Sequence, residues 1–344
     1  MLRRLSSTVL RTKKGEMKKA KCIYKSFKLL IIWTISILPN EIHAQIVIEN
    51  IEIESHTYKI RGLKRLELTV FQPADRESEK KLPAIIFFHG GGLRERRIWE
   101  FRPLSKYLVD SGMVAVVATY TVKRHGRTIY ESIADAKSAI RWVREHADEL
   151  GIDENLLAAG GGSAGGYLAA CAALIEEYDE PHEDLSISSV PNALVLFSPR
   201  LVIPGIGDPP LTKKELRYNK GRKLEDISPV HNVFKGSPPT IVFRGTADSK
   251  VAIKEAQWFC EEMNIYGNSC ELVTYEGREH GFHNYFSGTN PDFLSTMETT
   301  VKFLSKLGYI SQDKPNMNQE RASGADHMPL TLVGHLEILT NENY

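Results

Sequence analysis

The segment Ala159-Gly160-Gly161-Gly162-Ser163-Ala164-Gly165-Gly166 contains the pattern Gly161-x-Ser163-x-Gly165 between two apolar runs. The run that ends at Ala159 predicts a short strand, and the small apolar residues 167–175 predict a helix buried under a sheet. A serine on such a turn has a strained backbone, and only small residues two positions away leave room for it. The pattern predicts a nucleophile, Ser163, although a glycine-rich loop with a chance serine or a phosphate-binding turn remains an alternative.

Three further motifs each follow a predicted strand. An apolar strand leads into His89-Gly90-Gly91-Gly92, Asp248 comes shortly after the strand 240–243, and His280 shortly after the strand 271–275. The chain order serine, aspartate, histidine is that of the α/β-hydrolases and differs from those of chymotrypsin and subtilisin. We therefore predict His280 as the base that activates Ser163, and Asp248 as the carboxylate that orients the imidazole.

Glycines after a strand can aim free backbone N–H groups at a developing oxyanion. The sequence predicts an oxyanion hole built from the N–H groups of Gly90, Gly91 and Ala164, the last because it follows the nucleophile. His89 is interpreted as a brace for this loop rather than as a base.

Several nearby side chains allow more than one interpretation. His283 competes with His280 for the role of base, and His280-x-x-His283 has the spacing of a metal site but no convergent carboxylate motif, so neither a metal nor a cofactor is predicted. Three aromatic residues beside the presumed site belong either to the core or to a small acyl pocket: Trp99, Phe101 and Tyr120. Lys123, Arg124 and His125 could donate hydrogen bonds to sugar hydroxyls.

Strands alternate with helical segments along the chain, which predicts an α/β fold: a doubly wound, mostly parallel sheet with helices on both faces. Residues 131–150 have apolar positions spaced by three and four and predict one amphipathic helix. Residues 198–236, rich in proline and charge, predict a small insertion over the site. The motif residues all fall just beyond strand carboxyl ends, where open α/β sheets place their sites.

The first 44 residues are predicted to be a leader outside the fold. A basic segment begins at Met17, residues 29–38 are apolar, and the segment that follows ends in a small residue, Ala44. This order indicates a signal peptide cleaved near Ala44, and therefore a secreted or periplasmic protein. A membrane anchor at 29–38 is the alternative. Residues 1–16 are either an upstream extension of a start at Met17 or a transit-type leader. Residues 45–310 are then the catalytic domain, and residues 311–344 a disordered tail.

Composition narrows the possible partners. The 344-residue chain has a formal net charge of +1, so nothing points to a nucleic acid, and no stable membrane partner is expected. Cys171 lies on the small-residue helix and is expected to be a buried free thiol. Cys260 and Cys270 flank a helix-to-strand turn, and an exported protein permits a disulfide there; two unpaired cysteines are the alternative.

With these motifs, residues 58–310 resemble the His-Gly-Gly-Gly carboxylesterases of the hormone-sensitive-lipase-like branch of the α/β-hydrolases, and more closely their exported bacterial acetylesterase and acetyl-xylan-esterase-like members. The resemblance implies hydrolysis of short acyl esters, on small molecules or polysaccharides, without a cofactor. It departs from lipase-like members because the residues before the first long strand, 45–82, are mostly strands rather than a long cap. A serine peptidase of the prolyl-oligopeptidase type, which usually carries a large additional domain, and a non-catalytic binding module of the same fold remain alternatives.

Overall fold

The computed structural model describes residues 35–38, 41–44, 46–48, 50–76, 80–122, 128–203, 223–285 and 290–311. The strands are β1 (Ile35–Leu38), β2 (Glu41–Ala44), β3 (Ile46–Ile48), β4 (Ile51–Arg61), β5 (Lys64–Pro73), β6 (Leu82–Phe88), β7 (Val114–Ala118), β8 (Ile152–Gly162), β9 (Ala193–Phe197), β10 (Thr240–Gly245) and β11 (Cys270–Tyr275). The α-helices are α1 (Arg102–Asp110), α2 (Ile129–Glu145), α3 (Ala147–Leu150), α4 (Ala164–Leu174), α5 (Ile253–Ile265) and α6 (Asn290–Lys306). Short 3₁₀ helices lie at Ile98–Phe101, Glu225–Ile227 and Pro229–Asn232.

The described strands form one nine-stranded sheet and a separate pair, β1 with β2. The order across the large sheet is β11-β10-β9-β8-β6-β7-β5-β4-β3. The six strands from β11 to β7 pair in parallel, whereas β5, β4 and β3 add an antiparallel edge. The prediction of a mostly parallel, doubly wound α/β sheet is confirmed.

The central strand β6 explains why both faces of the sheet carry helices. Its side chains alternate between two cores that lie on opposite faces, and all of them are apolar. Ile86 and Phe88 pack in one core with the buried faces of α2, α4 and α5. Ile85 and Phe87 pack in the other core with α1 and α6. A strand with water on one face would alternate apolar and polar residues, and β6 does not.

The antiparallel edge extends the sheet sideways. Strands β4 and β5 pair from Ile51↔Pro73 to Arg61↔Lys64, and β5 continues the sheet by pairing with β7. Strands β3, β4 and β5 therefore widen the sheet, and the described residues that precede β6 contain no helix that could form a cap.

The amphipathic segment 131–150 is two helices rather than the single one predicted. Helix α2 begins two residues earlier, at Ile129, on a capping box in which Glu131 accepts a 2.7 Å hydrogen bond from the Thr128 N–H. It ends at His146, whose ring stacks on Trp142 with centroids 3.9 Å apart and whose Nδ1 lies 2.9 Å from the Trp142 carbonyl oxygen. His146 has non-helical φ and ψ angles and separates α2 from α3, although the apolar spacing continues through α3. Among the described residues, no helix is long and apolar enough to cross a bilayer.

The predicted motifs meet at one edge because parallel strands end on the same side of a sheet. Ser163 follows β8 directly, His89 follows β6 directly, and Asp248 and His280 follow β10 and β11 within a few residues. The predictions that concern residues 1–34, the middle of the insertion (204–222), the basic residues 123–125 and the tail from 312 onward lie outside the described residues.

Candidate active site

Ser163 occupies the sharp turn between β8 and α4. Its backbone adopts φ 53° and ψ −111°, an unfavourable conformation for a residue with a side chain. The Ser163 N–H donates a 2.8 Å hydrogen bond to the Phe197 carbonyl at the end of β9, which holds the turn against the sheet. Glycine at 165 is required because an added Cβ would lie 1.8 Å from the Phe88 carbonyl oxygen. The turn is thus fixed from both sides, as the pattern predicts.

Asp248 and His280 are hydrogen-bonded to each other. His280 Nδ1 lies 2.8 Å from Asp248 Oδ2. The carboxylate is buried, and its other oxygen accepts hydrogen bonds of 3.0 Å from each of the Lys250 and Val251 N–H groups. Because a carboxylate can only accept, Nδ1 carries the proton and Nε2 presents a lone pair. This is the tautomer that a general base for a serine hydroxyl needs.

The environment keeps Asp248 ionised. Burial alone would raise the pKa of this carboxyl, but the hydrogen bond from His280 and those from two backbone N–H groups outweigh burial and lower the pKa below its ordinary value. A buried cation adds to this environment: Arg244 Nη1 lies 3.1 Å from Asp248 Oδ2, and Arg244 is fully buried.

His283, the alternative base, lies in a different environment. It is buried, its ring stacks on Phe197 with centroids 4.9 Å apart, and neither ring nitrogen makes a hydrogen bond within the described residues. Burial lowers the pKa of His283 to about 3, so the ring is neutral at physiological pH. The structure therefore pairs Asp248 with His280 and leaves His283 in the core.

The oxyanion loop differs from the prediction at one residue. The Gly90 N–H donates a 2.7 Å hydrogen bond to Glu100 Oε2, so this N–H is turned toward a buried carboxylate and away from any oxyanion. Gly90 must be removed from the predicted set of donors. Gly91 and Ala164 remain, and Ala164 is the first residue of α4, where backbone N–H groups have no partner within the helix.

His89 braces the loop, as interpreted from the sequence. Its Nδ1 lies 2.8 Å from the Gly90 carbonyl oxygen, and its ring stacks on Tyr120 with centroids 4.3 Å apart. The Tyr120 hydroxyl in turn donates a 2.8 Å hydrogen bond to the His89 carbonyl. Burial lowers the pKa of His89 to about 4, which keeps the ring neutral and fits a structural role.

The aromatic residues suggested as an acyl pocket do not lie together at the surface. Phe101 is fully buried and stacks on Phe87, with ring centroids 4.7 Å apart, and Tyr120 is buried against His89. Of the two alternatives left open by the sequence, core or acyl pocket, the burial of Phe101 and Tyr120 favours the core. Trp99 is 36% exposed and is the one of the three that can meet a ligand in this structure.

Sequence reasoning missed two charged residues, Glu100 and Arg244. Glu100 lies between the aromatic residues Trp99 and Phe101, and Arg244 interrupts the apolar strand Thr240–Gly245. A lone charge inside an apolar segment needs a partner when that segment is buried. The sequence therefore indicates that each of these two charges has a partner, but it does not show which group that partner is.

The cysteines lie away from this edge. Cys260, on α5, and Cys270, at the start of β11, form a disulfide, and Cys171 is a buried free thiol on α4. No group of three or more potential metal ligands occurs within the described ranges.

Two family profiles match adjoining parts of the chain. The BD-FAE family matches residues 68–194, and the prolyl oligopeptidase family matches residues 205–311. Among solved structures, an esterase from the planctomycete Thermogutta terrifontis is 41% identical with a TM-score of 0.72, and the match covers 76% of this chain and 95% of that one. Other structures of the same esterase hold propionate or butyrate, or are phosphorylated by paraoxon.

Curated relatives are also esterases. Esterase LipC of Mycobacterium tuberculosis is 30% identical over 219 residues, which is 59% of this chain and 54% of LipC. Carboxylesterase NlhH of the same species is 24% identical over 257 residues, or 70% of this chain and 78% of NlhH. The chain spans about half the length of the first curated relatives that it matches.

Proposed function

Because the chain belongs to the α/β-hydrolase esterase family, we propose that it hydrolyses carboxylic esters through an acyl-enzyme on Ser163. One observation carries this proposal. A serine on a strained strand-to-helix turn lies at the same edge of the sheet as a histidine whose Nδ1 is held 2.8 Å from a buried aspartate oxygen. That arrangement supplies a nucleophile, a base of defined tautomer and a carboxylate that stabilises the imidazolium.

The reaction has two halves. His280 Nε2 takes the proton as Ser163 Oγ attacks the ester carbonyl, and the Gly91 and Ala164 N–H groups hold the oxyanion. The alcohol leaves with the proton from His280, and the acyl group stays on Ser163. Water, deprotonated by His280, then attacks the acyl-enzyme through a second oxyanion. As this oxyanion collapses, the bond from the acyl carbon to Ser163 Oγ breaks, His280 returns the proton to Oγ, and the acid is released. Asp248 remains ionised throughout, which its lowered pKa favours.

We further propose a preference for short acyl groups, acetyl above all. The related Thermogutta esterase has been obtained with propionate and with butyrate, which are short carboxylates. In this chain, β3, β4 and β5 widen the sheet, and the described residues before β6 contain no helix that could form a cap. A long acyl chain needs an apolar wall, since each buried methylene contributes about 0.8 kcal/mol.

The alcohol is proposed to be bulky, such as a sugar unit of a plant polysaccharide. A site without a helical cap from the described residues before β6 can admit an ester carried on a polymer. Export through the predicted leader would bring the enzyme to such a substrate. The disulfide between Cys260 and Cys270 is compatible with an oxidising compartment.

A panel of substrates tests both levels of the proposal. We expect kcat/KM for p-nitrophenyl esters to fall from acetyl through butyryl to octanoyl, and acetate to be released from acetylated xylan. Ser163→Ala should lower kcat by about a millionfold, and paraoxon should phosphorylate the wild type once and this variant not at all. An active Ser163→Ala variant would contradict the serine mechanism, whereas octanoyl preference without acetate release would leave only a general esterase.

A peptidase is the second candidate, because the prolyl oligopeptidase profile matches the part of the chain that holds Asp248 and His280. The same preparation tests it with proline-containing peptide p-nitroanilides. Turnover of these amides that exceeds turnover of the esters, and that is lost in Ser163→Ala, would favour the peptidase.

A further inference from the structure

Glu100 is a buried carboxylate beside the oxyanion loop. It lies on the 3₁₀ helix Ile98–Phe101 and is only 6% exposed. Its Oε2 accepts the hydrogen bond from the Gly90 N–H at 2.7 Å. A buried carboxylate is costly unless its oxygens are hydrogen-bonded, so this contact constrains the loop as well as the carboxylate.

The same carboxylate contacts the loop that carries the histidine. The Asn284 side chain, four residues after His280, hydrogen-bonds to Glu100. His283 Nε2 is 4.0 Å from Glu100 Oε1, which is too far for a hydrogen bond. Glu100 therefore connects two segments that are remote in sequence and that both serve the reaction.

Glu100 also reaches the residue before the nucleophile. A Cβ added to Gly162 would lie 2.9 Å from Glu100 Oε1, and one added to Gly90 would lie 2.9 Å from Oε2. The carboxylate thus fills the space between the Ser163 turn, the glycine loop (89–92) and the histidine loop (280–284).

We propose that Glu100 is a positioning residue: by binding Gly90 and Asn284, it fixes the glycine loop so that the next N–H, that of Gly91, faces the oxyanion above Ser163. This inference rests on the proposed esterase function and adds a residue that sets the geometry of its oxyanion hole. Glu100 itself touches no reacting atom. A shift of about 1 Å in such a donor can cost on the order of 100-fold in rate.

Glu100 is expected to act through the reach of its side chain, that is, its length, and not through its charge. Burial raises the pKa of Glu100 although the Gly90 and Asn284 hydrogen bonds oppose it, and His283 is neutral and offers no counter-charge. Asn284 Oδ1 has no hydrogen-bond partner among the described residues. If the Asn284 amide turned over, a glutamine at 100 could accept from Gly90 and donate to Asn284, so Glu100→Gln should keep both contacts.

Three variants separate reach from charge. Glu100→Gln keeps the reach and removes the charge, Glu100→Asp keeps the charge and shortens the reach, and Glu100→Ala removes both. We expect Glu100→Gln to stay within about threefold of wild-type kcat, and the other two to lose about 10- to 100-fold in kcat with KM within about threefold. Acylation and deacylation both pass through an oxyanion, so kcat on p-nitrophenyl acetate reports the loss whichever step limits.

A second readout separates positioning from simple destabilisation. A short-chain trifluoromethyl ketone adds to the serine to give an oxyanion, so its affinity should fall with kcat in Glu100→Asp and Glu100→Ala but not in Glu100→Gln. Paraoxon titration gives the fraction of competent enzyme, to which kcat is normalised. Glu95→Ala is the matched control, because Glu95 lies on the same loop but is exposed and pairs with Arg97. If Glu100→Ala does not fold, Asn284→Ala removes the other end of the bridge and should lower kcat in the same sense.

Three results for the Glu100 variants would overturn the proposal. A slow Glu100→Gln with a normal Glu100→Asp would assign the role to charge, and three variants with wild-type kcat and inhibitor affinity would show no positioning role. Losses that vanish on normalisation to competent enzyme would reduce Glu100 to a folding residue. A wild-type protein that hydrolyses no ester and is not labelled by paraoxon would instead refute the proposed function itself.

Discussion

At the scale of single residues, Asp248 binds two partners through one oxygen. Oδ2 accepts from His280 at 2.8 Å and from Arg244 at 3.1 Å. His280 is 12% exposed, whereas the Arg244 and Asp248 side chains are buried at 0% and 1% exposure. The carboxylate therefore serves the reaction through one partner and the stability of the core through the other.

This double role predicts different costs for the two members of the pair. Asp248→Ala should lower kcat by about 10⁴-fold and the free energy of unfolding by about 3–5 kcal/mol, because it leaves Arg244 as a buried, uncompensated cation. His280→Ala should lower kcat at least as much but the free energy of unfolding by only about 1.5–3 kcal/mol, the value of a hydrogen bond to a charged group. Urea unfolding and steady-state kinetics on the same preparations measure both, and equal losses of stability would contradict the assignment of Arg244.

Motifs located the reacting residues better than the residues that support them. Ser163, Asp248 and His280 were placed because each follows its own strand in a fixed order. The donor assignment failed at Gly90 because the motif gives the position of an N–H along the chain but not its direction. That direction is set by Glu100, ten residues later, whose contact with the loop depends on how the 3₁₀ helix Ile98–Phe101 packs.

At the scale of elements, apolar runs bounded by glycine predicted most strands and helices near the site. The single helix expected over 131–150 is interrupted at His146, whose φ and ψ angles are not helical. Periodicity could not reveal this break, because the apolar spacing continues through α3. For a related reason, the sequence could not decide between core and acyl pocket for Phe101 and Tyr120: adjacency to a motif in sequence does not show which face of an element a side chain occupies.

The disulfide joins two elements at the end of the sheet opposite the site. Cys270 is the first residue of β11 and pairs with Thr240, the first residue of β10, whereas Asp248 and His280 follow the last residues of these strands. The bridge therefore closes a short loop of ten residues between α5 and β11 without touching the reacting groups.

Loss of this bridge should affect stability and not turnover. Changing both Cys260 and Cys270 to serine should lower the free energy of unfolding by about 2–3 kcal/mol, since closing a short loop restricts the unfolded chain. At temperatures where the variant remains folded, kcat should stay within about twofold of wild type. Urea unfolding with and without dithiothreitol supplies the control, because the reductant should destabilise the wild type and leave the variant unchanged; a variant as stable as wild type would contradict the expected contribution.

At the scale of the whole molecule, the parallel sheet explains why residues from 89 to 280 converge. Strands β6, β8, β10 and β11 end at one edge, so residues far apart in sequence reach the same place. Alternation of strands and helices was enough to predict this convergence. It was not enough to predict what fills the space beneath the edge, where His89, His283 and Glu100 are buried together with aromatic rings.

The buried histidines beneath the site make the free energy of unfolding depend on pH. Burial lowers the pKa of His89 to about 4 and that of His283 to about 3, whereas an unfolded histidine titrates near 6.5. As the pH falls below about 6.5, the unfolded chain takes up protons at these positions and the folded chain does not. The unfolded state is thereby favoured, although the raised pKa of Glu100 acts in the opposite sense.

The free energy of unfolding should therefore fall as the pH is lowered from 7 toward 4.5, with each buried histidine contributing up to about 1.4 kcal/mol per pH unit. His283→Leu removes one of these titrations, and because neither His283 nitrogen is hydrogen-bonded within the described residues, an apolar side chain there should not cost a hydrogen bond. The slope between pH 6 and 4.5 should then decrease by about 1.4 kcal/mol per pH unit. His182→Gln is the control, since His182 is exposed and its replacement should leave the slope unchanged. Urea unfolding at each pH measures the slopes.

A slope in His283→Leu equal to that of wild type would mean that His283 is protonated in the folded protein, and that the space between Phe197 and Glu100 is more polar than its burial indicates.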